Sequence, residues 1–196
     1  MYRTSRTLIA SFIVVASLVP SAVLARDVPA PVPPDDAELA FVIDVIDGDT
    51  IRVDRDGGNA ERVRYIGIDT PEIAHQPSET DEPWGPEATD VNEDLVRDRL
   101  VLLERDVSDT DRYDRLLRYV WVETEGGWVM VNGELVARGL AEVHAYEPDT
   151  RHHDWFSQLR QEAIDAGEGM YGDRPEAEDD AAENLLESIL DLIGWD

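Results

Sequence analysis

The chain has 196 residues and a mass of 22.0 kDa, which is enough for one ordinary domain with a hydrophobic core and for extensions at its ends. It has 44 acidic residues and 17 basic residues, all of them arginine, and therefore a formal net charge of -27 at pH 7. This charge favours a protein adapted to high salt over an ordinary acidic protein with a disordered tail. The absence of cysteine excludes disulfides, thiolate metal sites and a cysteine nucleophile.

The N-terminus has the layout of a secretory signal. Two arginines precede an apolar run at residues 8–19, and small residues follow up to Ala25. We therefore predict that residues 1–25 are a signal peptide and that the protein is secreted or held on the extracellular surface. The alternative is a membrane anchor through residues 8–25, since this stretch is almost long enough to span a bilayer.

The folded domain is predicted over residues 39–172, between a proline-rich linker at 26–38 and an acidic amphipathic tail at 173–196. Alternating apolar and polar residues, separated by turn sequences, predict strands at 39–46, 50–53, 61–68, 101–107 and 116–122. Apolar residues at helical spacing predict helices at about 86–99, at 129–140 and around 155–163. Strands followed by helices predict an α+β, mainly β fold, a five-stranded OB-type Greek-key barrel with about three packed helices.

Two turn motifs carry carboxylates that are candidate metal ligands. The first, Asp47-Gly48-Asp49-Thr50, separates the first two strands, and the second, Asp69-Thr70-Pro71-Glu72, ends the third. Turn chemistry alone explains either motif in isolation, but a three-stranded meander brings both to one end of the barrel. Oxygen ligands without histidine or cysteine suit Ca²⁺ or Mg²⁺ better than zinc.

Other polar side chains are candidates for a site. Arg64 on the third strand and Arg115 before the last strand could hold positive charge near these carboxylates, although either is equally well explained as a solvated surface residue. His152, His153 and Asp154 could be read as a metal cluster. Adjacent residues at a helix start point in different directions, however, which favours a polar helix N-terminus.

Five blocks of the sequence resemble the staphylococcal nuclease (thermonuclease) family in their order and spacing. They are D-G-D-T, R-Y-I-G-I-D-T-P-E, W-G-P-E-A, T-D-R-Y-D-R and M-V-N-G-E-L-V-A-R-G-L-A. The resemblance covers about residues 41–172. It implies the OB-type barrel, a Ca²⁺ site with Mg²⁺ as the alternative ion, and in-line attack of water on the phosphodiester bonds of DNA and RNA.

The resemblance also implies roles for individual residues. Asp49 and Asp69 match the metal-binding carboxylates of the family, and Thr70 matches the residue that offers its backbone carbonyl to the metal. The catalytic arginine, glutamate and second arginine of the family are matched by Arg64, Glu72 and Arg115. Tyr113 matches a tyrosine that lies near the phosphate of the nucleotide.

The sequence departs from the family pattern in two places. Asp114 stands where the family usually has glycine, and the loop at 71–83 carries Glu79, Asp81 and Glu82 without lysine. Both departures predict weaker binding of a polyanion rather than altered chemistry.

Two other classes of protein compete with the nuclease prediction. A non-catalytic OB-fold module that binds nucleic acid or a surface partner, and a salt-adapted scaffold, are each compatible with the composition. The presence of all five residues that carry metal binding and catalysis in the family favours the nuclease, with nucleic acid as its partner and no obligate protein partner.

Overall fold

The structure is a computed structural model that describes residues 29–76 and 78–172. Within these residues the strands are β1 (Glu38–Val45), β2 (Thr50–Asp54), β3 (Glu61–Tyr65), β4 (Ile68–Asp69), β5 (Leu100–Glu104), β6 (Leu116–Thr124), β7 (Gly127–Met130) and β8 (Glu142–Val143). The α-helices are α1 (Gly85–Val96), α2 (Val131–Ala137) and α3 (His153–Ala166), and a single 3₁₀ turn follows at Gly169–Tyr171.

Five of the strands close into a barrel. β1, β2 and β3 form an antiparallel meander, and β1 also pairs with β5, which pairs in turn with β6. A parallel pairing between β3 and β6 then closes the sheet, so that neither strand is left as an open edge at this point. The predicted mainly β fold, an OB-type barrel of five strands with three helices packed on it, is confirmed.

The apolar residues of the alternating strand sequences point inward and fill the barrel. Ile51 and Val53 on β2 and Val63 on β3 are completely buried, whereas the residues between them face outward. Fully burying a side chain of this size contributes roughly 1.5–3 kcal/mol relative to exposing it. The helices add to this core. Helix α1 packs against β1 and α2, and helix α3 packs against α2. The buried residues of α1 and α3 at these contacts include Ala88, Val96, Trp155, Phe156, Leu159 and Ala163.

The structure corrects the bounds of two predicted elements. The strand predicted at 61–68 is broken between Tyr65 and Ile68, because Gly67 takes a positive φ of 80° and turns the chain, so that β4 pairs with β8 instead of continuing in the barrel. The helix predicted at 129–140 begins only at Val131, because the preceding residues pair with β6 as strand β7. Helical spacing and strand alternation are hard to separate in so short an apolar run.

A buried carboxylate joins the start of α3 to the barrel. Glu104 accepts hydrogen bonds from Trp121 Nε1 at 2.8 Å and from Arg151 Nη1 at 2.8 Å, and its Oε1 lies 3.0 Å from His152 Nε2. His152 therefore contacts Glu104 rather than joining a cluster with His153 and Asp154, and the alternative of a metal site at these three residues finds no support in the structure.

These contacts make the stability of the protein depend on pH. Burial by itself raises the pKa of Glu104, but the hydrogen bonds to its carboxylate outweigh burial, and the pKa lies below the ordinary value of 4.5. A lowered pKa means that the ionised carboxylate stabilises the fold above the pKa of the unfolded chain. That contribution is lost as the pH falls through the lower pKa of the folded state.

Substitution of Glu104 by glutamine is therefore expected to lower the free energy of unfolding at neutral pH by about 1–3 kcal/mol. The decline in stability between neutral and acidic pH should also become shallower, because glutamine does not titrate. Denaturant unfolding over a pH series measures both effects. If the stability of the variant falls toward acidic pH as steeply as that of the wild type, the pH dependence belongs to other carboxylates. The matched control is Glu125→Gln, at an exposed turn.

Some predictions from the sequence fall on residues that the structure does not describe. These are the signal peptide or anchor at residues 1–25 and the acidic tail at 173–196, and both stay predictions. Of the predicted linker, residues 29–37 are described and precede the first strand. Among the described residues, none of the helices has the length and apolar character needed to span a bilayer.

Candidate active site

Two turns meet at one end of the barrel and bring the predicted metal ligands together. Asp49 lies in the turn between β1 and β2, and its Oδ2 accepts a hydrogen bond from the backbone N–H of Thr70 at 2.9 Å. Gly48 allows this approach, because a Cβ at this position would lie 2.7 Å from Thr70 Oγ1. The glycine of the first motif thus serves contact with the second motif as well as the local turn.

Arg64 connects the two candidate ligands. It lies on β3 directly opposite Thr50 of β2, and its guanidinium forms ion pairs with both Asp49 and Asp69. Its side chain is 13% exposed, so this cation is largely withdrawn from solvent. The two carboxylates therefore converge on one position at which positive charge is held.

The electrostatics of this position indicate a place for a cation. Burial raises the pKa of Asp49 to about 7; Arg64 opposes this shift, and the nearby charges of Asp47 and Asp69 add to it. Several carboxylates this close repel one another unless a cation lies between them. The donors at this point are all oxygens, which is the ligand set of a hard cation such as Ca²⁺ or Mg²⁺, so the residues present fit a metal site.

Glu72 follows this site on the loop after β4. Burial raises the pKa of its carboxyl, the charge of Asp47 raises it further, and Arg64 lowers it. One of its carboxylate oxygens, one carboxylate oxygen of Asp47 and a ring nitrogen of His75 lie within 4.8 Å of one another. A partly buried carboxylate with a raised pKa is a stronger base than an exposed one, which suits proton transfer.

Asp47 and His75 were not identified as site residues from the sequence. Asp47 is largely buried and accepts the backbone N–H of Asp49 at 3.0 Å, and His75 Nε2 lies 3.9 Å from Asp47 Oδ2. The signals that could have identified them were the first acid of the D-G-D turn and a histidine three positions after Glu72.

The loop before β6 carries the second arginine. Asp111 fixes this loop, because its Oδ1 accepts the backbone N–H groups of Tyr113 and Arg115 at 2.9 and 3.0 Å, and its Oδ2 accepts Arg115 Nε at 2.7 Å. Burial raises the pKa of Asp111, but these hydrogen bonds outweigh it and the net shift is downward. The carboxylate thus stays ionised and orients the guanidinium of Arg115.

Tyr113 lies exposed at the tip of the same loop, with the guanidinium carbon of Arg115 at 5.6 Å from its ring centroid. The loop borders a cavity of about 560 Å³ that is lined by Arg64, Tyr113, Arg115 and Tyr146, among others. Arginines and aromatic rings lining one cavity suit the two parts of a nucleotide, since guanidinium groups bind phosphate and aromatic rings stack on a base.

The structure accounts for both departures from the family pattern. Asp114 takes the left-handed conformation, with φ of 58°, which glycine adopts at no steric cost. In the loop at 71–83, the acidic side chains accept backbone N–H groups of the loop itself, Glu79 from His75 and Asp81 from Ala74. These carboxylates therefore organise the loop that carries Glu72.

Replacing Asp114 by glycine is expected to lower the KM for single-stranded DNA about two- to fivefold at low ionic strength, because one negative charge beside Arg115 is removed. The effect should shrink in molar salt, where the Debye length is only about 3 Å. Steady-state kinetics at the two ionic strengths test this. Asp98→Gly is the control, since Asp98 also has a left-handed backbone but lies after α1, and an equal gain in that variant would refute the electrostatic explanation.

The site lies at one end of a closed β-barrel and combines two arginines, a glutamate and a pair of converging carboxylates. These groups make the protein a candidate phosphodiester-cleaving hydrolase. The model of a protein family described as "Staphylococcal nuclease homologue" matches residues 62–173. The chain is 40% identical to the thermonuclease of Staphylococcus hyicus over 122 residues, which are 62% of this chain and 69% of that protein.

Two further relatives agree with this match. The thermonuclease of Staphylococcus intermedius is 40% identical over 126 residues, 64% of this chain and 71% of that protein. The SPbeta prophage-derived endonuclease YokF of Bacillus subtilis is 42% identical over 120 residues, which are 60% of this chain but only 38% of that longer protein. This chain belongs to the staphylococcal nuclease family.

Proposed function

We propose that this protein is a metal-dependent nuclease that hydrolyses the phosphodiester bonds of DNA and RNA. The observation that carries the proposal is the placement of Arg64, Glu72 and Arg115 around one end of the barrel, beside the converging carboxylates of Asp49 and Asp69. The family and the nuclease names of its relatives support the same function.

The chain's own residues divide the work of hydrolysis. Glu72 accepts a proton from the attacking water, whose oxygen forms a bond to phosphorus while the bond to the leaving oxygen breaks and that oxygen takes a proton from solvent. Arg64 and Arg115 donate paired N–H groups to the phosphate oxygens as negative charge develops there. By resemblance to the family, the bond that breaks is the one to the 5′ oxygen, which leaves a 3′-phosphate.

Asp49, Asp69 and the carbonyl of Thr70 would hold the metal, for which we propose Ca²⁺ ahead of Mg²⁺ because flexible oxygen ligands suit the larger ion. When bound, such a cation neutralises phosphate charge and polarises the bond to be cleaved.

We further propose that the enzyme acts outside the cytoplasm, on extracellular DNA and RNA, and at high salt. The signal-like residues 1–25 and the net charge of -27 support this proposal. If residues 8–25 are not cleaved, the enzyme would stay anchored in the membrane.

Activity of the purified protein on single-stranded DNA in molar salt tests the proposal. We expect cutting with added Ca²⁺, loss of cutting with a chelator and recovery when Ca²⁺ is restored, with Mg²⁺ and RNA as parallel reactions. A folded protein that cuts nothing with any divalent ion, but retains DNA in a binding assay, would instead be a non-catalytic nucleic-acid-binding module.

A further inference from the structure

Three arginines differ from the others in the part of the chain that the structure describes. Arg62, Arg99 and Arg112 have no carboxylate oxygen of a described residue within 4.0 Å, whereas every other described arginine forms an ion pair. Arg99 instead donates to the backbone carbonyls of Leu95 and Glu123, which explains it as a structural residue. In so acidic a protein, the remaining two unpaired cations require another explanation.

Arg62 and Arg112 both contact the tyrosine at the candidate active site. Arg62 Nη2 donates to the carbonyl oxygen of Tyr113 at 3.0 Å, and Arg112 Nη2 donates to its hydroxyl oxygen at 2.6 Å. Arg112 also lies over the ring, with its guanidinium carbon 4.7 Å from the centroid. The two unpaired guanidinium groups therefore contact different parts of Tyr113, Arg62 its backbone carbonyl and Arg112 its side chain.

Each of these arginines lines a different cavity. Arg112 borders the cavity of about 560 Å³ described above, which we call the nucleotide cavity. Arg62 borders a second cavity of about 300 Å³, which also contains Glu72, His75 and Arg115 and which we call the Arg62 cavity. Arg115 is the residue that lines both.

The shared arginine relates the two cavities to the reaction. If the phosphate to be cleaved binds at Arg115, then one neighbouring nucleotide lies in the nucleotide cavity and the other lies toward the Arg62 cavity. The phosphate of that second nucleotide needs a cation, because Asp47 and Glu72 make this cavity otherwise repulsive to it. Arg62 is exposed, unpaired and held in place by Tyr113, which suits contact with such a phosphate.

We propose that the Arg62 cavity is a second nucleotide subsite, in which Arg62 binds the phosphate next to the one being cleaved. The inference rests on the proposed nuclease function and adds a residue that binds the substrate beside the bond being cleaved. Arg62 should therefore contribute to binding a strand that has a phosphate beside the cleaved bond, and contribute nothing to binding an ester with a single phosphate.

The variant Arg62→Gln tests the subsite with two substrates, a single-stranded oligonucleotide and the p-nitrophenyl ester of thymidine 5′-phosphate. The ester has one phosphate and cannot occupy both sites. We expect kcat/KM to fall about tenfold or more on the oligonucleotide, as for loss of a charge-assisted hydrogen bond, and to stay unchanged on the ester. The slope of log KM against log salt concentration should decrease by about 0.7 on the oligonucleotide.

Arg97→Gln is the matched control, because Arg97 is exposed at the far end of α1 and already paired with Glu93. An unchanged rate of Arg62→Gln on the oligonucleotide would overturn the subsite. An equal loss on both substrates would also overturn it, since it would mean that Arg62 acts by positioning the Tyr113 loop. Failure of the wild type to cut either substrate with Ca²⁺ would instead refute the proposed function itself.

Discussion

Replacement of Glu72 by glutamine is expected to lower kcat by about 10²- to 10⁴-fold, the usual contribution of a positioned general base. Glutamine has nearly the same shape but does not accept the proton of the attacking water. The backbone N–H of Glu72 donates to Glu82 at 3.1 Å, and this contact does not depend on the side chain of Glu72. The loop should therefore keep its position, and KM should change much less than kcat.

Single-turnover and steady-state rates on single-stranded DNA measure this effect, with thermal unfolding as the check on folding. Glu79→Gln provides a control within the same loop, because Glu79 holds the backbone of His75 and Gln76 without entering the group around Asp47. A rate loss of similar size in Glu79→Gln would attribute the effect to loop order. A rate near that of the wild type in Glu72→Gln would show that another group accepts the proton.

The convergence of the two acidic turns could be predicted because it depends on topology alone. In a meander of three antiparallel strands the third strand finishes at the end of the sheet that carries the first turn, so Asp49 and Asp69 had to come near each other. The tight contact between Gly48 and Thr70 could not be predicted, since it depends on how far the two turns approach across the barrel end. For the same reason, the convergence of Asp47 and His75 with Glu72 could not be predicted.

The environment of Arg64 could not be derived from strand alternation. Counting along residues 61–68 places Arg64 on the same face as Ile66 and Ile68, which are both buried. The count fails because the chain turns at Gly67, so alternation applies only up to Tyr65. Within the intact part of β3, the order of Arg62, Val63 and Arg64 does follow the rule, and both arginines face away from the core.

Substitution of Arg64 by lysine tests whether the site needs only a positive charge or also the paired N–H groups of a guanidinium. Lysine keeps a cation near Asp49 and Asp69, so the buried carboxylate of Asp49 is not left uncompensated. It cannot, however, donate the pair of parallel N–H groups that a guanidinium offers to a phosphate. We expect kcat/KM on single-stranded DNA to fall by about 10²- to 10³-fold, comparable to removing one donor to a developing oxyanion, while the melting temperature changes little.

The same chemical change at Arg138 is the control for this experiment. Arg138 follows α2 and pairs with Glu134, so Arg138→Lys should leave both stability and kcat/KM close to wild type. A near-normal rate in Arg64→Lys would mean that positive charge alone is needed at this position. In that case the guanidinium of Arg64 serves mainly to hold Asp49 and Asp69 together, and donation to the phosphate falls to Arg115.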